Sequence, residues 1–234
     1  MKYIVALSGG KDSTAMALRL KELYPNRKFE YVLTPTGDEL PEMEKHWRKL
    51  ETILGPLKRL TGTDLFGLID KQKMIPNFRA RFCTRMLKIE PFIKYMTSMV
   101  HDAIMYVGLR YDEGERLGII DSCVNVEYPL KHWKWGINEV TGYLKNKGII
   151  IPERTDCGCC FFQRLPEWKA LLENHPDRYE KYVQIENKYG YTFRSPGRDT
   201  WSADLEGLRR EIQSGRKMRN TKARDVKKCR FCSM

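Results

Sequence analysis

The chain has 234 residues, enough for one sizeable core with a small accessory lobe. Hydrophobic residues make up 41% and there are five tryptophans, which excludes a disordered chain, while no stretch approaches the roughly 20 apolar residues of a membrane helix. A formal net charge of +12 concentrates anions around the surface, so nucleotides, sulfated compounds and nucleic acid lead the ligand classes.

The chain opens on Tyr3-Ile-Val-Ala-Leu-Ser-Gly-Gly-Lys-Asp-Ser-Thr14, which reads as strand, phosphate loop and helix. Ser8, Gly9 and Gly10 let backbone N–H groups approach an anion, Lys11 adds charge, and Asp12, Ser13 and Thr14 suit a first helical turn. The spacing is not that of a Walker loop, which needs glycine where this chain has Val5, nor that of the dinucleotide fingerprint. The Ser8 to Ser13 string resembles the pyrophosphate loop of the adenine-nucleotide alpha-hydrolase superfamily, whose members bind ATP or a sulfonucleotide at the edge of a parallel sheet.

Apolar spacing predicts a helix over 14–24, a strand over 29–33, a helix over 41–54 and a third strand over 57–60. Strand-helix units with short loops point to a parallel, right-handed α/β sheet, whose ligands collect at the carboxyl ends of the strands. Thr36 and Gly37 follow the second strand, where the superfamily carries Asp-Thr-Gly and this chain has Pro35 in place of the acid. A short helix over 64–72 precedes a basic irregular stretch with Arg79, Arg81 and Arg85. The stretch from Cys83 to Phe92 leads into a helix running to about Val100, and a strand over 104–107 and a helix over 138–145 follow.

Four motifs run in order: Cys83-x4-Lys88-x2-Pro91, Gly108-x-Arg110-x2-Glu113-x2-Arg116, Pro129-Leu130-x2-Trp133, and Glu139-Val140-x2-Tyr143. Together they are similar to the phosphoadenosine-phosphosulfate (PAPS) reductase family over residues 1–160. The resemblance implies a Rossmann-like parallel sheet for 1–160, and 161–234 reads as a helical accessory lobe with a basic tail. It also implies that Lys88, Arg110 and Arg116 face the sulfate or terminal phosphates, with Gly108 beside them and the Ser8 loop holding the other phosphate oxygens. Trp133 and Tyr143 read as core, and the four histidines carry no metal spacing.

No secretory leader precedes the first strand, so a cytoplasmic location is expected, with seven cysteines serving as thiols, ligands or redox groups rather than structural disulfides. Cys157-x2-Cys160 and Cys229-x2-Cys232 have the spacing of zinc or iron-sulfur ligands. Some relatives of the resembled family hold a four-iron cluster, which here implies Cys83, Cys157 and Cys160, with Cys159 or a tail cysteine as the fourth ligand. Sulfonucleotide reductases use a nucleophilic cysteine near the carboxyl end. Cys229 and Cys232 take that position beside Lys227, Lys228 and Arg230, although the Glu-Cys-Gly motif is absent.

Three readings result. The first is thiol-dependent reduction of PAPS or adenylyl sulfate, with a thioredoxin-like donor as partner. The second is an ATP-using sulfurtransferase that releases AMP and pyrophosphate and acts on nucleic acid, the basic tail touching phosphates. The third is a nucleotide-binding module without catalysis.

Overall fold

A computed structural model describes residues 1–98, 103–114 and 124–218. Its centre is one five-stranded sheet in the order β3-β2-β1-β4-β5, with every neighbouring pair parallel. The strands are β1 (Lys2–Ala6), β2 (Phe29–Leu33), β3 (Leu57–Arg59), β4 (Ala103–Val107) and β5 (Val126–Glu127). The order reverses between β1 and β4, so the crevice for a ligand lies where these two strands end, at Ser8 and Gly108.

Side chains alternate across the sheet and need cover on both faces. Val5, Tyr31, Leu33 and Tyr106 pack against α1 (Lys11–Leu23), α2 (Pro41–Leu54) and α7 (Ile137–Asn146). Ile4, Val32 and Met105 turn the other way, onto Phe92 and Met96 of α5 (Glu90–Thr97). Trp133 and Tyr143 pack on the first of these clusters, as the sequence reading has them.

A third cluster ties the carboxyl-terminal helices to the rest. Trp168 and Leu171 of α8 (Leu165–Asn174), Tyr179 and Tyr182 of α9 (Pro176–Tyr189), and Leu208 of α10 (Leu205–Gln213) bury against Leu40, Cys159 and α3 (Leu65–Gln72). Glu186 stands inside it and accepts the backbone N–H groups of Phe193 at 2.8 Å and Leu205 at 2.6 Å.

Most expected elements lie within a few residues of their predicted bounds, with two differences that bear on the site. The first is the stretch from Cys83 that leads into the expected helix: given no secondary structure by the sequence, it holds a short α4 (Phe82–Thr84) and a π-helical turn over Arg85–Ile89, and α5 begins at Glu90. Single π turns are rare and recur at functional sites, and this one carries Lys88. The second is α10, within the stretch read as helical accessory lobe and basic tail, which is packed into the core rather than solvated. Asp204 caps it by accepting from Gly207 N–H, and Leu205 and Leu208 are buried.

Candidate functional site

Residues 8–13 connect β1 to α1 in a tight cradle. Gly9 has φ +81, and a side chain there would run into Met43 and Trp47 of α2, so glycine is required twice over. Trp47 Nε1 donates to the Ser8 carbonyl at 3.0 Å, and buried His46 hydrogen-bonds the Gly9 backbone. Burial holds the His46 imidazole below its usual pKa, so it supports the loop as a neutral ring. Ser13 Oγ receives the Ser8 N–H at 3.2 Å and closes the turn. The first-turn N–H groups of α1 have no intrahelical partner and carry the positive end of the helix dipole.

Asp12 anchors the cradle from below. It accepts from Lys11 Nζ at 3.2 Å and from Arg110 Nη1 at 2.9 Å. Arg110 has no exposed surface, and its Nε donates to Asp112 at 2.8 Å while Glu113 takes the Arg110 backbone N–H at 3.0 Å. Burial opposes the guanidinium charge, yet Asp12, Asp112 and Glu113 outweigh it and hold the pKa above its ordinary value. Arg110 therefore lies under the loop and is not among the residues lining the cavity, while the resemblance implied an anion-facing role for it.

Gly108 packs against the loop so closely that an added Cβ would lie 2.9 Å from the Ser13 backbone. Gly108→Ala is expected to cost about 1–3 kcal/mol of stability through overpacking. A shift of the urea midpoint at constant slope checks this, and an unchanged midpoint would show that the loop yields freely.

In front of the loop opens a cavity of about 620 Å³, a size suited to a nucleotide. Ser8, Gly10, Lys11, Asp12, Ser13 and Gly108 form one wall; Gly148 to Asp156 form the other, with Lys88 along the lining. Thr155 Oγ1 would touch a Cβ placed on Gly10 at 3.7 Å, so the second wall abuts the loop. Arg154 on that wall has a side chain only 10% exposed. Its Nη2 donates to the Cys157 carbonyl at 2.7 Å, Nη1 reaches Glu167 only at 3.8 Å, and Nε and Nη1 make no hydrogen bond among the described residues.

Next to it lies a smaller cavity of about 40 Å³, lined by Thr36, Arg81, Cys83, Cys157, Cys160 and Phe162. Lys88 and Asp156 line both cavities. Burial opposes the Lys88 charge, but Cys157, Asp156, Cys160 and Cys83 raise its pKa above the ordinary value. Burial pushes the Cys83 thiol up, against the pull of Lys88, and the contacts of Cys157 and Cys160 with neighbouring thiols raise both of theirs.

Cys159 makes a thiol contact with Cys157. It is buried in the third cluster, outside the lining of the small cavity, where its N–H donates to Asp38 at 2.9 Å and burial lifts its thiol to about 12. Asp38, given no part by the sequence, is a buried junction that also accepts the Tyr182 hydroxyl at 2.7 Å and whose carbonyl takes Gly158 N–H at 2.8 Å. Burial raises its pKa despite these donors. Thr36 lines the small cavity rather than the large one, and the N–H groups of Thr36 and Gly37 are taken by Glu39. Arg116, Cys229 and Cys232 lie outside the described residues.

None of Cys83, Cys157, Cys159 and Cys160 is in a disulfide. Among the described residues no three His, Cys, Asp or Glu side chains converge to grip a single metal ion. Cys83, Cys157 and Cys160 line the small cavity together, and thiols are the ligands that zinc and iron-sulfur clusters both take. No helix among the described residues is long and apolar enough to cross a membrane.

The family model described as Phosphoadenosine phosphosulfate reductase domain matches residues 2–160. An uncharacterized protein of Methanocaldococcus jannaschii is 25% identical over 206 residues, 80% of this chain and 48% of that protein, so the chain spans about half the length of the curated relative it matches. Among solved structures, PAPS reductase from Candida auris in a phosphate complex aligns with TM-score 0.51 and 15% identity, over 65% of this chain and 76% of that one. The U34-tRNA thiolase NcsA from Methanococcus maripaludis, with its 4Fe-4S cluster, aligns with TM-score 0.51 and 19% identity, over 100% of this chain and 80% of that one. At these identities both structures speak to the fold alone.

Proposed function

The chain belongs to the phosphoadenosine phosphosulfate reductase domain family, and on that premise we propose that it binds ATP in the large cavity and transfers sulfur to nucleic acid at the small one. The observation that carries this reading is the adjacency of the two cavities, with Lys88 and Asp156 common to both. An intact phosphate loop on one side and three thiols on the other suit a reaction in which adenylation and sulfur delivery meet.

The steps balance as follows. A carbonyl oxygen of the acceptor base attacks the α-phosphorus of ATP, and pyrophosphate leaves. Inorganic sulfide, the simplest sulfur donor, then attacks the adenylated carbon, and AMP departs with the original oxygen, leaving a carbon–sulfur double bond. The loop amides and Lys11 hold the departing pyrophosphate, where charge develops. Lys88 and Arg154 sit on the lining where they steady the remaining phosphate charge. Cys83, Cys157 and Cys160 are the residues that would hold a cluster, which when bound supplies a docking point for the sulfur donor. The tRNA thiolase named above carries such a cluster in its own structure.

Sulfonucleotide reduction is the second reading. It is favoured by cationic Lys88 on the lining of the large cavity, a partner for a sulfate. In it, a thiolate of Cys229 or Cys232 attacks the sulfur of PAPS or adenylyl sulfate, the nucleotide leaves, and a second thiol from a thioredoxin-like donor releases sulfite by forming a disulfide.

Anaerobically purified protein incubated with a thioredoxin-type dithiol donor and, separately, ATP, PAPS or adenylyl sulfate separates the two. AMP and pyrophosphate from ATP, stimulated by nucleic acid, is the expected result. Sulfite from either sulfonucleotide, with ATP untouched, would replace the first reading by the second; consumption of none, with tight binding, would mark a module without catalysis.

A further inference from the structure

The segment between α3 and the π turn carries a feature that nucleotide binding leaves unused. Asn77 Oδ1 accepts the N–H groups of Arg79 at 2.9 Å and Ala80 at 3.0 Å, and Asn77 N–H donates to the Ala80 carbonyl at 3.1 Å. This Asx turn fixes the backbone and presents Phe78 at its tip, 52% exposed. Behind it, the ring stands edge-on to Phe162 at 4.7 Å and to Phe161 at 5.6 Å. Arg81 lies over the Phe162 face at 5.1 Å, and both Arg81 and Phe162 line the thiol cavity.

The charge around this aromatic step is one-sided. Between Lys71 and Lys94 the chain carries seven Lys or Arg against one acid, Glu90, which pairs with Arg85 at 3.3 Å. A rigid exposed aromatic at the rim of a small reactive cavity, framed by cations, is the arrangement by which proteins take unstacked bases.

We infer that Phe78 and Arg79 form a stacking platform for single-stranded nucleic acid, which places a base at the mouth of the Cys83, Cys157 and Cys160 cavity. This deepens the sulfur-transfer reading, on which the direction of delivery rests, and assigns the contact to this turn rather than to the basic tail alone. A duplex keeps its bases stacked and cannot engage the ring, so the platform discriminates by strandedness. The shared chemistry covers RNA and DNA, and the 2′-hydroxyl decides between them.

Fluorescence anisotropy of the full chain with a labelled single-stranded RNA, the same sequence as DNA, and the RNA duplex tests this at two salt concentrations. A single strand is expected to bind at least about tenfold more tightly than the duplex, and Phe78→Ala to weaken it by about 5- to 150-fold. Phe78→Trp should retain binding, and Tyr191→Ala, at another exposed aromatic, should leave it unchanged. Arg79→Gln is expected to flatten the salt dependence by close to one phosphate contact.

Binding of duplex and single strand alike, loss of less than twofold in Phe78→Ala, or no binding by the wild type overturns the platform. Equal competition by an acidic polypeptide that is indifferent to Phe78→Ala does so as well, by making the surface a protein-docking one. ATP cleavage to AMP and pyrophosphate in the presence of the single strand is measured on the same variants. Strand binding that depends on Phe78 while no ATP is cleaved would sink the sulfur-transfer reading and leave the platform standing.

Discussion

Arg110→Ala is expected to lower stability by about 3–5 kcal/mol, because it strands carboxylates that the fold has taken out of water. Asp12 and Glu113 have side chains 9% and 2% exposed, and Arg110 itself is wholly covered. The arginine reaches Asp12 beneath the phosphate loop and Asp112 on the following turn, and Asp112 in turn accepts the first amide of α7, Ile137 N–H, at 3.1 Å. Its removal loosens the loop, the 110–113 turn and the start of α7 together. Arg110→Lys keeps the charge but lacks the fork needed to serve several carboxylates, so an intermediate loss is expected. Urea unfolding checks both variants. A loss under about 1 kcal/mol for the alanine variant would mean that the carboxylates regain water without disturbing the loop, and the proposed anchoring role would be lost with it.

The parallel sheet was legible because β1, β2 and β4 are apolar runs bounded by loops, and because Gly9 and Gly10 announce a close approach of backbone to ligand. The family resemblance grouped Cys83 with Cys157 and Cys160, and the three line one cavity. Arg110 was harder to read. A motif can mark an arginine without naming the carboxylate it holds, and here that partner, Asp12, is 98 residues away. Asp38 and Cys159 were hidden for the same reason, since their pairing joins the second loop to the cysteine turn across 121 residues. The π turn at Arg85–Ile89 has no periodicity to betray it. The burial of α10 had a signal that the basic residues masked: Asp204 followed by Leu205 and Leu208 is a cap and an apolar stripe.

Arg154 offers the sharpest test of the nucleotide site, because it was not part of any motif. Its side chain is nine-tenths buried on the cavity wall, and a charged group so placed normally satisfies its donors. Here Nη2 is spent on the Cys157 carbonyl, Nη1 stands 3.8 Å from Glu167, and Nε makes no hydrogen bond among the described residues. A phosphate oxygen entering the cavity would complete that set. Arg154→Ala is therefore expected to weaken inorganic pyrophosphate and ATP by about 10- to 150-fold, the worth of roughly 1.5–3 kcal/mol for a hydrogen bond to a charged group. Adenosine, which brings no phosphate, should bind as before. Calorimetry on the three ligands separates the outcomes: equal losses for adenosine and pyrophosphate would mark Arg154 as a brace for the cysteine turn, acting through its bond to Cys157. Arg154→Lys sharpens the distinction, since an ammonium keeps attraction for phosphate but loses the fork that holds the turn, so pyrophosphate affinity should recover in part while the Cys83, Cys157 and Cys160 cavity is left less firmly supported.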